Sequence, residues 1–269
     1  LGFPDNKLTT FKKWIAQPYG MIIISGPTGS GKSTTLYAAL QEIKNDTINI
    51  TTVEDPVEYQ IPGINQIQVH DAIGLSFSSA LRSILRQDPD VLLIGEIRDQ
   101  ETADIAVKFS MTGHLVFSTV HANDAPSTIS RLLDLGIPPF LLGSSLNLIM
   151  AQRLVRTIDP NEKEKDNPSS DKIKRLGISS DEANKIDFYK GRATQQNHNT
   201  GYKGRTAIHE ILEVNSSIRE MIFEQKSESE IKNQAIKNGM TPLREAGIDK
   251  IKEGTSTVEE ILRATVEDN

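Results

Sequence analysis

The sequence predicts an α/β fold in which a parallel sheet is wrapped by helices. Three observations carry that prediction. Apolar, β-branched runs alternate with segments of helical periodicity from Met21 to Leu135, the pattern of repeated strand–helix–strand units. A glycine-rich loop, Gly26 to Thr34, stands between the first of those runs and the helix after it. The run Val91 to Ile94 is wholly apolar, as expected of a central strand covered on both faces.

In chain order, residues 21–26 read as the first strand, and Lys32 to Ile43 places Leu36, Ala39, Leu40 and Ile43 at helical spacing. Ile48 to Val53 is β-branched and strand-like. Leu75 to Gln87 carries Phe77, Leu81, Ile84 and Leu85 on one face, and Asp88-Pro89-Asp90 stops it before the strand at Val91. Thr102 to Met111 is helical again and closed by Gly113, Leu115 to Val120 is a strand, and Asp124-Ala125-Pro126 opens a helix through Leu135. The character changes after Ile158. Eight acidic and eight basic side chains fall between Asp159 and Arg192, with few large apolar ones, which predicts a surface insertion or a weakly packed subdomain over 159–201. After Thr206 a helical bundle is expected. Ser227-x-x-Glu230 and Thr257-x-x-Glu260 are capping-box patterns, Thr241-Pro242 puts proline at a first turn, and Gly239 and Gly254 sit where helices end.

Composition bounds the function classes. A chain of 269 residues holds one large domain or two ordinary ones. A net charge of −6 without a long basic run argues against a nucleic-acid groove. With no cysteine, disulfides and thiolate metal sites are excluded, which is compatible with the cytosol. The longest apolar runs fall far short of the ~20 residues that span a bilayer. The opening Leu-Gly-Phe-Pro predicts no signal peptide, and a first residue other than Met suggests a fragment that lacks an N-terminal domain.

Gly26-Pro27-Thr28-Gly29-Ser30-Gly31-Lys32-Ser33-Thr34 is a complete G-x-x-x-x-G-K-S/T phosphate loop. Its glycines let successive backbone N–H groups face one concavity, and the dipole of the following helix adds positive potential there. Lys32 is placed to reach the β- and γ-phosphates, and the Ser33 hydroxyl to ligate Mg²⁺. The motif implies a nucleoside triphosphate site. Such a site needs a second strand that delivers an acid, and Val91-Leu92-Leu93-Ile94-Gly95-Glu96 supplies one. Glu96 then fits a general base that polarises the attacking water. An aspartate usually precedes that acid, and Gly95 stands in its place. Thr51-Thr52-Val53-Glu54-Asp55-Pro56-Val57-Glu58 ends a strand with three carboxylates, at the sheet edge where α/β folds gather ligands. His114 and His121 flank one strand seven residues apart, an odd spacing that puts them on opposite faces and in separate roles.

These blocks, in this order, resemble the Walker A, Asp box, atypical Walker B and His box of the secretion ATPases, the hexameric motors of type II secretion and type IV pilus assembly. The resemblance rests on Gly26–Thr34, Thr52–Glu58, Leu85–Asp90 running into Gly95-Glu96-Ile97-Arg98-Asp99, and Thr112-Gly113-His114 through His121. Gly95 is usual in that family. The run from Leu115 to Pro126 and Gly201-Tyr202-Lys203-Gly204-Arg205-Thr206 look like the assembly branch more than the retraction branch. The resemblance implies a RecA-like P-loop core over 1–158, a polar insertion over 159–204 and a C-terminal helical subdomain over 205–269. It implies ATP and Mg²⁺ as cofactors. Catalytic roles fall to Glu96, Lys32, Glu58 and His121, nucleotide contacts to Gly26 through Thr34 with Arg98 and His114, and metal contacts to Ser33, Glu54 and Asp55. It further implies a homohexamer at the cytoplasmic face of the inner membrane. That ring would work with a membrane platform protein and touch the membrane only through partners, with no nucleic acid.

One departure stands out. Assembly members of the family often hold zinc on two Cys-x-x-Cys pairs in the insertion. Here those positions align with Asp159 and Glu162, and with Thr194 and Asn197, oxygen and amide groups that do not select zinc. No structural zinc is expected. The competing readings are an ATP-gated scaffold with little hydrolysis, which Glu96 disfavours, a RecA-like DNA translocase, which the acidic balance disfavours, and a small-molecule kinase, for which no acceptor pocket is legible.

Overall fold

The computed structural model of the chain describes residues 1–265. The elements begin with α1 (Asp5–Ile15), β1 (Gly20–Ser25), α2 (Lys32–Ile43), β2 (Ile50–Glu54), β3 (Asn65–Gln68), α3 (Phe77–Ile84), β4 (Val91–Ile94) and α4 (Gln100–Met111). They continue with β5 (Leu115–Val120), α5 (Ala125–Asp134), α6 (Pro139–Ser145), β6 (Leu146–Ile158), β7 (Lys163–Lys165), α7 (Ser170–Leu176), α8 (Ser180–Ala183) and β8 (Tyr189–Gly191). The last are β9 (Tyr202–Glu213), α9 (Ser216–Phe223), α10 (Glu228–Lys237), α11 (Leu243–Lys252) and α12 (Val258–Ala264).

The main sheet has seven strands in the order β3-β2-β4-β5-β1-β6-β9. Strands β1 to β5 pair in parallel, and β6 runs parallel to β1. Gly20 lies opposite Leu115 and Ser25 opposite Val120, while Ile94 lies opposite both Val53 and Ser118. The strands therefore release their chains at one common edge. Met21 to Ile24, Leu92, Val116 and Phe117 are wholly excluded from solvent. Each such side chain contributes roughly 1.5–3 kcal/mol of burial, so this strand group is a stiff platform for whatever its edge carries.

The chain divides into two compact units, one formed by Pro4–Ala151 with Ile211–Met240, the other by Leu1–Phe3, Gln152–Glu210 and Thr241–Asn269. Two of the four divisions fall inside β6 and β9, the others after Phe3 and after Met240. This differs from three consecutive segments ending at 158, 204 and 269, whose last four residues lie outside the described residues. The physical reason is β9. Residues 206–213 were expected to begin a helical bundle, but they form a strand of the main sheet. Their apolar run, Ala207-Ile208 and Ile211-Leu212, is too short for periodicity to separate strand from helix.

In the second unit, the polar stretch has structure of its own. Strands β7 and β8 pair antiparallel, with Lys163 opposite Gly191. Helix α7 is capped by Ser169, α8 by a reciprocal Ser179–Glu182 box, and Ile173 and Leu176 are buried. Of the two capping boxes expected near the C-terminus, Ser227–Glu230 forms in full. At Thr257 only the forward half forms, because the Glu260 carboxylate goes to Arg156 and Arg263 instead.

Candidate nucleotide site

The phosphate loop leaves the buried strand β1 at Ser25, and Gly31, in the left-handed region at φ 86°, caps the start of α2. Only glycine enters that region cheaply. A side chain at Gly29 would meet nothing within 4 Å, so the space beside that residue is open. Lys32 turns back on the loop, its Nζ donating to Gly26 O at 2.8 Å and Pro27 O at 3.0 Å. Ser33 and Thr34 are exposed in the first turn of α2. A glycine-rich loop at a helix N-terminus, a lysine folded back over it and a hydroxyl in the first turn fit a polyphosphate with its divalent cation.

Glu96 follows β4, and β5 lies between β4 and β1. Two strand spacings put the acid on the order of 10 Å across the sheet edge from the loop. The turn that carries it is held firmly. Thr119 Oγ1 donates to Gly95 O at 2.7 Å, Ile97 N donates to Thr119 O at 2.9 Å, and Asp99 caps α4 through Thr102 N at 2.8 Å. Gly95 is required by close approach: its N–H donates to Val53 O at 2.8 Å, and a Cβ there would stand 3.3 Å from Glu54 Cα. An aspartate at this position would push β4 away from β2.

The Glu96 side chain is only 14% exposed, and its two oxygens face different partners. Oε1 pairs with Arg98 Nη2, and Oε2 lies 3.7 Å from His121 Nε2. The hydrogen bond to Glu96 raises the Arg98 pKa beyond its ordinary value. Both partners are exposed, so the cluster is a carboxylate backed by the sheet and flanked by two solvent-facing nitrogen groups. That arrangement can hold a proton acceptor in a fixed orientation beside a charged ligand.

The acidic segment divides into two environments. Asp55 and Glu58 are exposed at the edge. Glu54, expected to contact a metal, is buried and hydrogen-bonded to three side chains. Tyr37 OH donates to its Oε2, Thr52 Oγ1 to its Oε1 at 2.5 Å, and Gln66 Nε2 to the same oxygen at 3.3 Å. Sequence reasoning missed Tyr37, which reads from its position as one more core residue of α2.

His114, expected at the nucleotide, lies at the other end of β5. It precedes β5 and its carbonyl accepts from Gly20 N at 3.0 Å, at the edge where β1 begins rather than where the phosphate loop leaves. Its ring stacks on Phe109 at 4.0 Å, and its Nδ1 lies 3.1 Å from Thr112 Oγ1. Six strand residues at ~3.3 Å each separate it from His121, so within one chain it does not join the nucleotide loop. The two histidines have separate surroundings, at opposite ends of β5.

The aligned zinc positions do not fit that metal. Asp159 is buried, its Oδ1 accepting from Asn161 N at 3.1 Å and its Oδ2 from Asn197 Nδ2 at 3.4 Å. Asn197 Oδ1 accepts from Thr194 N at 2.9 Å and Gly201 N at 3.1 Å, and Glu162 pairs with Arg192 at 2.6 Å. These groups bond to one another in a polar knot, with no thiolate or imidazole aimed inward. Among the described residues no cluster of three potential metal ligands forms.

A phosphate loop at the end of β1, an interposed strand and an acid at the end of the next define the RecA-like P-loop class of α/β proteins. Within that class the chain belongs to the type II/IV secretion system protein family, whose model matches residues 1–263. It is 48% identical to the type IV pilus assembly ATPase PilB of Myxococcus xanthus over 100% of this chain and 48% of that protein. It is 45% identical to the type II secretion system ATPase E of Vibrio cholerae over 99% of this chain and 52% of that protein. The chain thus spans about half the length of these curated relatives. Among solved structures, the pilus retraction motor PilT with bound ADP superposes with a TM-score of 0.73 at 30% identity, covering 98% of this chain and 65% of that one. No helix among the described residues is long and apolar enough to cross a membrane.

Proposed function

We propose that this chain is the ATP-hydrolysing portion of a motor that assembles a type IV pilus or a type II secretion pseudopilus. The observation that carries the reading is Glu96, a carboxylate fixed by the β4–β5 edge, at the same sheet rim as the phosphate loop. Bound ATP with Mg²⁺ supplies the transferable phosphoryl group and the charge that the chain's residues must manage. The loop amides and Lys32 hold the polyphosphate, Ser33 offers a hydroxyl to the cation, and Asp55 and Glu58 lie within the exposed acidic arm that can orient its water ligands. Glu96 accepts the proton of the attacking water, His121 steadies its second oxygen, and Arg98 exchanges the Glu96 carboxylate for nucleotide phosphate when the site fills. The ADP held by the related PilT structure supports an adenine nucleotide here.

The larger machine, a homohexamer on a platform protein at the cytoplasmic face of the inner membrane, is proposed from the relatives' names and the family. An arginine from another segment or subunit offsets γ-phosphate charge in many P-loop enzymes and is worth ~10³–10⁵ in rate, so this chain alone should bind ATP and turn it over slowly. Conversion of Glu96→Gln tests the core of the reading. Turnover should fall by about 10²-fold or more while ATP binding by calorimetry is retained. Unchanged turnover would remove Glu96 from the chemistry, ATP-dependent assembly unaltered by the substitution would favour the ATP-gated scaffold, and stimulation by DNA the translocase.

A further inference from the structure

Tyr37 sits one turn into α2, four residues after Ser33, so the two share a helix face. Its side chain is 1% exposed, yet it carries a hydroxyl, and that hydroxyl is used twice. It donates to Glu54 Oε2 and accepts from Glu58 N at 3.2 Å. Its ring meets Tyr59 edge-on at 4.7 Å. One side chain of the phosphate-loop helix therefore holds the acidic arm at residues 54, 58 and 59. Burial, then the hydrogen bond to Glu54, push the phenol well above its ordinary range, so it remains a donor. Glu54, with Thr52 and Gln66 on its other oxygen, has the bonding of an anchor.

We propose that Tyr37 is a positioning residue for catalysis: through the buried Glu54 carboxylate and the Glu58 amide it sets the exposed acids Asp55 and Glu58 against the helix face that presents Ser33. This deepens the reading of the site as a Mg²⁺-dependent ATPase and rests on it. Phosphate contact and acid placement are then linked mechanically. A movement of α2 carries the acidic arm with it, since the tie is a buried hydrogen bond in surroundings where water cannot substitute. Tyr37 touches neither nucleotide nor metal in this scheme.

Tyr37→Phe keeps the ring and removes only the hydroxyl. The expected result is turnover lowered by about 10-fold or more, with the Mg²⁺ concentration for half-maximal effect raised by a similar factor and ATP affinity at saturating Mg²⁺ within about 2-fold of the parent. Glu54→Gln retains an acceptor for the Tyr37 hydroxyl and should lose much less than Glu54→Ala. Mg²⁺ dependence is also read from nucleotide binding by calorimetry, which does not need turnover. Parent-like turnover and Mg²⁺ dependence in Tyr37→Phe overturns the proposal, as does a loss in Glu54→Gln equal to that in Glu54→Ala. If Glu96→Gln leaves turnover unchanged while Tyr37→Phe still lowers turnover and shifts Mg²⁺ dependence in binding, Glu96 is not the base and the positioning role of Tyr37 stands; if the parent shows no turnover at all, the ATPase reading fails and the catalytic role of Tyr37 with it.

Discussion

The ion-pair knot around Glu260 gives a stability prediction whose size can be worked from its contacts. Glu260 belongs to the first turn of α12 and its side chain is 0% exposed. Its Oε1 accepts from Arg156 N at 2.9 Å and Arg263 Nη2 at 2.6 Å, and its Oε2 from Arg156 Nε at 3.0 Å and Nη2 at 2.8 Å and from Arg263 Nε at 3.2 Å. Arg156 also lies over the Tyr202 ring at 4.0 Å, which fixes the guanidinium plane. Burial alone would raise the Glu260 carboxyl, but the hydrogen bonds from Arg263 and Arg156 outweigh it and hold the group at about 2, against an ordinary 4.5. That difference corresponds to on the order of 3 kcal/mol, an upper figure because solvent reaches both arginines. The folded value is depressed, so the stabilisation is complete above pH 4.5 and is lost as pH falls toward 2. Glu260→Gln should unfold in urea about 2–3 kcal/mol more easily than the parent at pH 7, followed by circular dichroism. The gap should narrow as the pH is lowered through 4 to 3, because the carboxyl of the unfolded parent then takes up a proton that the folded one, held at about 2, still refuses. A gap that is the same at pH 7 and pH 3, or absent at pH 7, would refute the reasoning.

Two further outcomes follow from the site and the insertion. Lys32→Ala removes the ammonium that spans Gly26 O and Pro27 O, and ATP affinity by calorimetry should fall by about 10²-fold; affinity within a few-fold of the parent would mean the phosphates are held elsewhere. Asn197→Ala cuts the knot between Asp159, Thr194 and Gly201 and should lower the melting temperature by several degrees, whereas a chelator should leave the parent's melt unchanged. A chelator-sensitive melt, or one zinc per chain in protein purified without added metal, would show that the knot is not what holds the insertion.

Much of the fold was legible because the local signals agreed with the tertiary outcome. Lys32 to Ile43 and Leu115 to Val120 begin and end where periodicity and β-branching put them, and Asp124 caps α5 with Pro126 in its first turn. The phosphate loop and Glu96 were equally plain, since a nest followed by a helix and an apolar strand ending in an acid are chemistry written in contiguous residues. Where the expected elements and the fold differ, the cause is β9: its short apolar run fits either period, and only its place beside β6 makes it a strand of the main sheet.

Sequence by itself determined the class of fold, the glycine-rich loop that follows β1 and the acid that follows β4, because each depends on neighbours a few residues away. Tertiary structure decided which acids are exposed and which is an anchor, that His114 and His121 lie at opposite ends of β5, and that Tyr37 ties α2 to the acidic arm. Those roles depend on groups brought together across 17 residues between Tyr37 and Glu54 and 104 between Arg156 and Glu260. No local pattern records such a meeting. It exists only once the sheet has closed and burial has left a carboxylate a single set of donors to find.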